Sequence, residues 1–265
     1  MTKPRIVFVH GIDGFGAAAW PVQHRLAGRY DALFLKRTGF DAAAPPLPTE
    51  YAADVRMVLD ALDGGAHLVA HAQGAIAAVM AAVEQPGLVK SLVLVEPALL
   101  SLTTELPATS AYREHLEPLF SRSATMTDAA FSAEFRRLTA SMAGPGGAGP
   151  GIAGGGAGLP GRLPGPGPVE SSARIAARIH LQAPLWEAPV HIVPGVPTLV
   201  LTGGWEPLYE EIADYLAATG ARHEVTGGGH RPQDSDAGAA LIEEFIAGLE
   251  SGLESGFEAG SGDGS

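Results

Sequence analysis

The chain has no cysteine among its 265 residues, which excludes a disulfide framework and thiolate metal sites together, and removes any reading of compartment from redox chemistry. Basic residues are scarce as well. Seventeen Lys and Arg against 29 Asp and Glu leave a net charge of −12 with no basic cluster, so the counterion release that drives nucleic-acid binding has nothing to act on. Long apolar runs are missing too. Met1–Arg5 leads into only Ile6–Val9 before His10 and Gly11, too short for a signal-peptide core or a membrane span, so the expectation is a soluble, cytoplasmic protein without a membrane partner. Nothing in the sequence specifies an oligomeric state.

What is present is a chain 46% hydrophobic and only 17% charged, with 35 glycines and 21 prolines, too apolar to stay disordered and rich in turn formers. Short β-branched runs alternate with helical patterns, as in βαβ units with a mostly parallel sheet. Strands are expected at Ile6–Val9, Tyr30–Leu35, Ala66–Ala70, Ser91–Val95, Thr198–Leu201 and His223–Thr226. Helices are expected at Ala52–Leu62, Ala75–Val83, Leu208–Ala218 and Ala237–Leu249, the last with Leu241, Ile242, Phe245, Ile246 and Leu249 on one face.

The alternation stops between residues 99 and 196. Three helix-like stretches there (Ser110–Phe120, Asp128–Met142, Ser171–Leu181) surround residues 144–168, in which 18 of 25 residues are Gly or Pro. That composition cannot offset its ordering entropy and reads as a flexible loop, either a tolerated surface insertion or a hinge. The organisation expected is a core domain in two parts, 1–98 and 197–249, a helical lid insertion over 99–196, and a disordered acidic tail over 250–265 with four acids and no base.

The chemistry concentrates at three places. In Ala70-His71-Ala72-Gln73-Gly74 a strand enters a tight turn and then a helix, with small residues two places before and two places after position 72, as a nucleophile elbow requires. Val9-His10-Gly11-Ile12 follows the first strand. Gly227-Gly228-Gly229-His230 follows the last. In this order the three resemble the α/β-hydrolase family, the likeness covering nearly all of the chain outside the Gly/Pro loop and the tail. The fold it implies is the α/β-hydrolase fold, a mostly parallel sheet flanked by helices, with a lid. The activity it implies is acyl transfer on an apolar ester or lactone, without a cofactor. A serine hydroxyl at position 72 would attack the carbonyl, His230 would take its proton, and the N–H groups of Ile12 and Gln73 would hold the oxyanion, each donor contributing roughly 3–4 kcal/mol in enzymes of this logic.

Two carboxylates compete to orient His230. Glu96 directly follows the strand after the elbow helix, a placement that a subgroup of the family uses, and is preferred. Glu206 follows the next strand, where the family more commonly carries its acid, but it also precedes Pro207 at a helix start, where the dipole favours a negative charge in any case. Gly11, Phe15, Trp20 and Trp186 are expected to line an apolar pocket. His10 and His71 read as structural members of their turns. His24, His67, His115, His180, His191 and His223 show no ligand spacing, and the glycines of Gly11-Ile12-Asp13-Gly14-Phe15-Gly16 are wrongly spaced for a dinucleotide turn, so neither a metal nor a nucleotide cofactor is expected.

The nucleophile position itself holds Ala72, which cannot form an acyl-enzyme. Three readings follow: a serine-to-alanine variant that traps its substrate, a non-catalytic binder of small molecules, or a cofactor-free non-hydrolytic enzyme with His230 as the base. The first is preferred, because a single replacement would leave the oxyanion turn, the elbow glycine, both acids and His230 in place.

Overall fold

The computed structural model describes residues 3–12, 14–142 and 170–260. The Gly/Pro run 144–168 lies outside the described residues, as do 261–265. Six strands, β1 (Arg5–Val9), β2 (Asp31–Phe34), β3 (Ala66–His71), β4 (Val89–Val95), β5 (Thr198–Thr202) and β6 (Arg222–Val225), form one sheet in the order β2-β1-β3-β4-β5-β6. Every pairing is parallel.

The continuous apolar character of β1, β3, β4 and β5 reflects burial on both faces, whereas the edge strands Asp-Ala-Leu-Phe and Arg-His-Glu-Val are half exposed. Alternation along the strands divides the core. Val7, Val9, Leu68, Leu92, Leu94 and Val200 face helices α1 (Tyr51–Leu62), α2 (Gly74–Glu84) and α6 (Pro207–Ala218). Ile6, Phe8, Val69, Val93, Leu199 and Leu201 face Trp20, Leu26 and helix α7 (Asp236–Gly260).

Between β4 and β5 the chain forms α3 (Pro107–Ser121), α4 (Asp128–Met142) and α5 (Ser172–His180). Ser171 caps the last of these, its side chain accepting from the Arg174 N–H. Where a disordered tail was expected from Glu250, α7 instead continues to Gly260. Glu250 is part of the structure: its Oε1 lies 2.9 Å from both His67 Nε2 and Lys90 Nζ, tying the helix to the amino ends of β3 and β4.

Chain order reverses between β1 and β3. The chain leaves β1 for β2 on one side and returns as β3 on the other, so the loops following β1 and β3 diverge and open a crevice at the carboxyl ends of the strands.

Candidate active site

The site grows from that crevice. At the end of β3 the Ala72 N–H donates to the Val95 carbonyl at 3.0 Å, and the backbone then turns sharply, with Ala72 at φ 48°. A left-handed conformation costs an L residue roughly 1–2 kcal/mol, and it persists here because both flanks are over-determined. The Ala72 carbonyl accepts from the N–H groups of Ala75 and Ala98. Gly74 has no alternative, since a Cβ there would lie 2.4 Å from the Val9 carbonyl oxygen. The loop after β1 closes on the same point: a Cβ on Gly11 would stand 3.0 Å from the Ala72 Cβ. Among the described residues, the N–H groups of Ile12 and Gln73 donate to no backbone or side-chain acceptor.

Strand β4 ends in a second left-handed residue, Glu96 at φ 46°, whose N–H continues the ladder to the Leu201 carbonyl. The turn carries the carboxylate into the interior, fully buried. Its Oε1 accepts from the Gly203 N–H at 2.6 Å and its Oε2 from the Trp205 indole N–H at 3.0 Å. Its Oε2 also lies 3.6 Å from His230 Nδ1. A buried carboxylate is tolerable only when paired in this way.

The loop carrying His230 reaches this point through three successive left-handed glycines, Gly227, Gly228 and Gly229. It passes so close to the loop after β5 that a Cβ on Gly203 would lie 2.1 Å from the Gly229 carbonyl oxygen. His230 is buried, its ring 5.2 Å from that of Tyr209 and 5.8 Å from that of Trp205. Its carbonyl accepts from His71 Nε2 at 2.8 Å. Burial holds His71 well below the usual imidazole range, so a neutral ring with its proton on Nε2 fixes the height of the His230 loop.

His10 is likewise structural. Its Nε2 accepts from the Arg37 N–H at 3.0 Å, which leaves Nδ1 to donate to the Gly11 carbonyl at 2.8 Å. Burial, reinforced by Arg37, pushes it down to about 3. The second carboxyl, Glu206, is buried just before α6 and lies within the electrostatic reach of both Glu96 and His230. Burial raises it to about 7, the Leu208 N–H working against the rise and the charge on Glu96 adding to it.

Beside Ala72 lies a narrow cavity of about 10 Å³, room for about one water. Ile12 and Gln73 form one wall. The other comes from the helical segment: Tyr112 and Phe120 of α3, Phe135 of α4, and Trp186 after α5. Of the pocket residues expected from the sequence, Gly11 abuts Ala72 and Trp186 lines the cavity. Trp20 is not on its wall: it is buried on the α7 face of the sheet, 5.1 Å from the Phe8 ring. Phe15 is not there either, its ring lying beneath the Arg178 guanidinium at 5.0 Å. Sequence reasoning missed Tyr112, Phe120 and Phe135. The signal was present, since Tyr112, Leu116 and Phe120 recur every four residues and Phe131 and Phe135 repeat that spacing. Periodicity finds such a stripe without saying what it faces.

The model of the family described as "Alpha/beta hydrolase family" matches residues 6–244, and the chain belongs to that family. Among solved structures it is similar to NosK from Streptomyces actuosus, at 19% identity and a TM-score of 0.57 over 94% of this chain and 99% of that one. It is similar also to the enol-lactonase from Burkholderia xenovorans LB400, at 15% identity and a TM-score of 0.58 over 93% of this chain and 92% of that one. A thermophilic esterase from Thermogutta terrifontis is similar at 16% identity and a TM-score of 0.61, over 94% of this chain and 91% of that one. No curated protein sequence matches. At these identities the structural likeness speaks to the fold. No helix among the described residues is long and apolar enough to cross a membrane.

Proposed function

We propose that this chain is an ester- or lactone-binding α/β hydrolase whose Ser-His-acid mechanism is interrupted at a single atom, so that it holds an apolar acyl substrate and leaves it uncut. The observation that carries the reading is Ala72 on an intact elbow, at φ 48°, with His230 and Glu96 still paired at 3.6 Å. In the complete mechanism a serine hydroxyl at position 72 attacks the carbonyl as His230 takes its proton. The N–H groups of Ile12 and Gln73 receive the developing oxyanion, and Glu96 holds the imidazole in the required tautomer. Glu96 suits that role better than Glu206. A carboxyl that titrates near 7 is only partly charged at neutral pH and makes a weaker partner for an imidazolium.

Helices α3 to α5 act as the lid, their apolar walls favouring an apolar substrate. The esterase and lactonase names of two similar structures support this class of reaction. A serine-to-alanine replacement in an otherwise complete hydrolase accounts for the whole set of residues.

Ala72→Ser tests the reading. The expected outcome is hydrolysis of some apolar ester or lactone together with covalent labelling by a fluorophosphonate. A revertant inert to both sinks it. A second reading is favoured by Glu206, which gives the site another proton-exchanging group close to His230. Without a nucleophile these two groups would still serve a proton transfer, and exchange of solvent deuterium into the α-carbon of a bound ester by the Ala72 protein would point that way.

A further inference from the structure

The Ile12 N–H belongs to the Gly11–Ile12 peptide, and among the described residues it donates to no backbone or side-chain acceptor. The carbonyl of that same peptide is held: His10 Nδ1 lies 2.8 Å from the Gly11 oxygen. No cis peptide occurs among the described residues, and in a planar trans peptide the N–H points opposite to the C=O. Holding the carbonyl toward His10 therefore aims the Ile12 N–H the other way.

Gly11 cannot fix that peptide by itself. It has to be glycine, because a Cβ there would stand 3.0 Å from the Ala72 Cβ and 3.2 Å from His71 Nδ1. Glycine also leaves the peptide that follows it free to rotate at little steric cost. An outside contact must choose the orientation.

His10 supplies that contact. Its Nε2 accepts from the Arg37 N–H at 3.0 Å, so in a neutral ring the single proton is on Nδ1, facing the Gly11 carbonyl. Burial, with the Arg37 charge, pushes the ring down to about 3, so it is neutral at ordinary pH. Phe40 packs edge-on against it at 4.7 Å. The residue that donates to His10 is anchored in turn. Asp54 of α1, itself buried, accepts from Arg37 Nε and from the Thr38 N–H, both at 2.8 Å. A chain of contacts thus runs from α1 through Arg37 and His10 to the peptide that carries the Ile12 N–H.

We propose that His10 is a positioning residue of the hydrolytic site: its Nδ1–H locks the Gly11–Ile12 peptide so that the Ile12 N–H is presented to the oxyanion. The inference rests on the acyl-transfer reading above, and it adds to that reading a residue that touches no substrate.

Two substitutions separate this role from packing. In His10→Asn the side-chain N–H stands near the place of Nδ1, which keeps a donor for the Gly11 carbonyl and loses the contact to Arg37. In His10→Gln the amide reaches the place of Nε2, which keeps the Arg37 contact and loses the one to Gly11. Both are made in the Ala72→Ser protein and assayed with p-nitrophenyl acetate. The expected kcat is about tenfold higher in His10→Asn than in His10→Gln, with KM within about threefold. An oxyanion donor acts in the transition state, and losing one outright costs about 10²- to 10³-fold in kcat. A purely structural role gives the opposite ranking or none, so a kcat in His10→Gln equal to or above that in His10→Asn overturns the proposal.

The tautomer is a measurement that needs neither variant nor turnover, and it decides if the variants do not fold. In the unaltered chain, imidazole nitrogen-15 shifts at neutral pH are expected to show His10 protonated on Nδ1 alone. A proton on Nε2 instead overturns the proposal. The two readings fail separately. If Ala72→Ser is inert, hydrolysis falls, and the tautomer still tests the lock together with crystal structures of the two variants. Those are expected to show the Gly11 carbonyl held in His10→Asn and released in His10→Gln, and one orientation in both overturns the proposal. If the Ala72→Ser protein hydrolyses the ester and His10→Gln matches His10→Asn, the lock falls alone.

Discussion

Both ends of strands β3 and β4 gather a histidine, a carboxylate and a hydroxyl position, but the two ends differ in access. At the amino ends, His67 and Ser91 are register partners, with Nδ1 and Oγ 2.8 Å apart, and Glu250 lies 2.9 Å from the other ring nitrogen. This is a Ser-His-Glu set with tighter contacts than the pair at the other end, yet His67 and Ser91 are both fully buried. At the carboxyl ends, His230 and Glu96 flank Ala72, which lacks the hydroxyl, beside a cavity. Residue types in contact are therefore not a site. A parallel sheet builds its sites at the carboxyl ends, where loops diverge and backbone N–H groups are free to meet a ligand. At the amino ends the same residue types fasten α7 to the sheet.

The largest effect expected from this contrast is on turnover. Ala72→Ser should raise ester hydrolysis by at least about 10³-fold, since removing the nucleophile from such a triad costs on the order of 10⁶. Ser91→Ala in the revertant should leave fluorophosphonate labelling unchanged. Labelling of Ser91, followed by mass spectrometry, would break the comparison.

Next comes the choice of acid. In the revertant, Glu96→Gln is expected to reduce kcat by about 10³- to 10⁴-fold, as loss of the orienting carboxylate does in other triads, and Glu206→Gln by less than about tenfold. The reverse ranking would move the acid to Glu206.

A smaller effect is expected on stability as a function of pH. Glu206 titrates near 7 in the fold against a reference of 4.5, so the folded state favours its proton. Its contribution is fully present below about pH 4.5 and is lost as pH rises through 7. Glu206→Gln should therefore stabilise the protein by roughly 1–3 kcal/mol at pH 8 and by much less at pH 4.5, measured by chemical denaturation. His10 and His71 have the opposite sign. Both are held neutral by burial, so their contribution is complete above pH 6.5 and is lost as the solution becomes acid.

The smallest effect belongs to the amino end. Burial raises the Glu250 carboxyl, but Lys90 and His67 more than offset this, so it remains ionised and accepts from His67 Nε2 while Nδ1 accepts from Ser91. Ser91→Ala would leave that buried nitrogen without its donor and should cost about 1–2 kcal/mol by denaturation, with no change in ligand binding.

Much of the fold is legible in the residues, because its signals are local. The apolar runs Leu92–Val95 and Leu199–Leu201 and the apolar stripe of α7 report their own burial whatever they pack against. The pattern misleads at Glu250, where Gly-rich, acidic composition reads as a tail while one carboxylate anchored to His67 and Lys90 holds the helix in place. Trp20 misleads for a related reason. It follows the Val9–Ile12 turn in sequence, but the chain there crosses to the face of the sheet opposite the cavity.

The sequence by itself determined the strand and helix alternation, the three loops in their order, the alanine at the elbow, and the two acids in competition. Each depends on a few neighbouring residues whose backbone preferences and periodicity are intrinsic. Only the tertiary structure decided that Glu96 is gripped by Gly203, 107 residues away, and by Trp205, and set 3.6 Å from His230. It alone decided which apolar stripes line the cavity, and that the histidine and serine at the far end of the same strands are fully buried. Distance, burial and access are properties of the folded packing, and no local stretch of chain contains them.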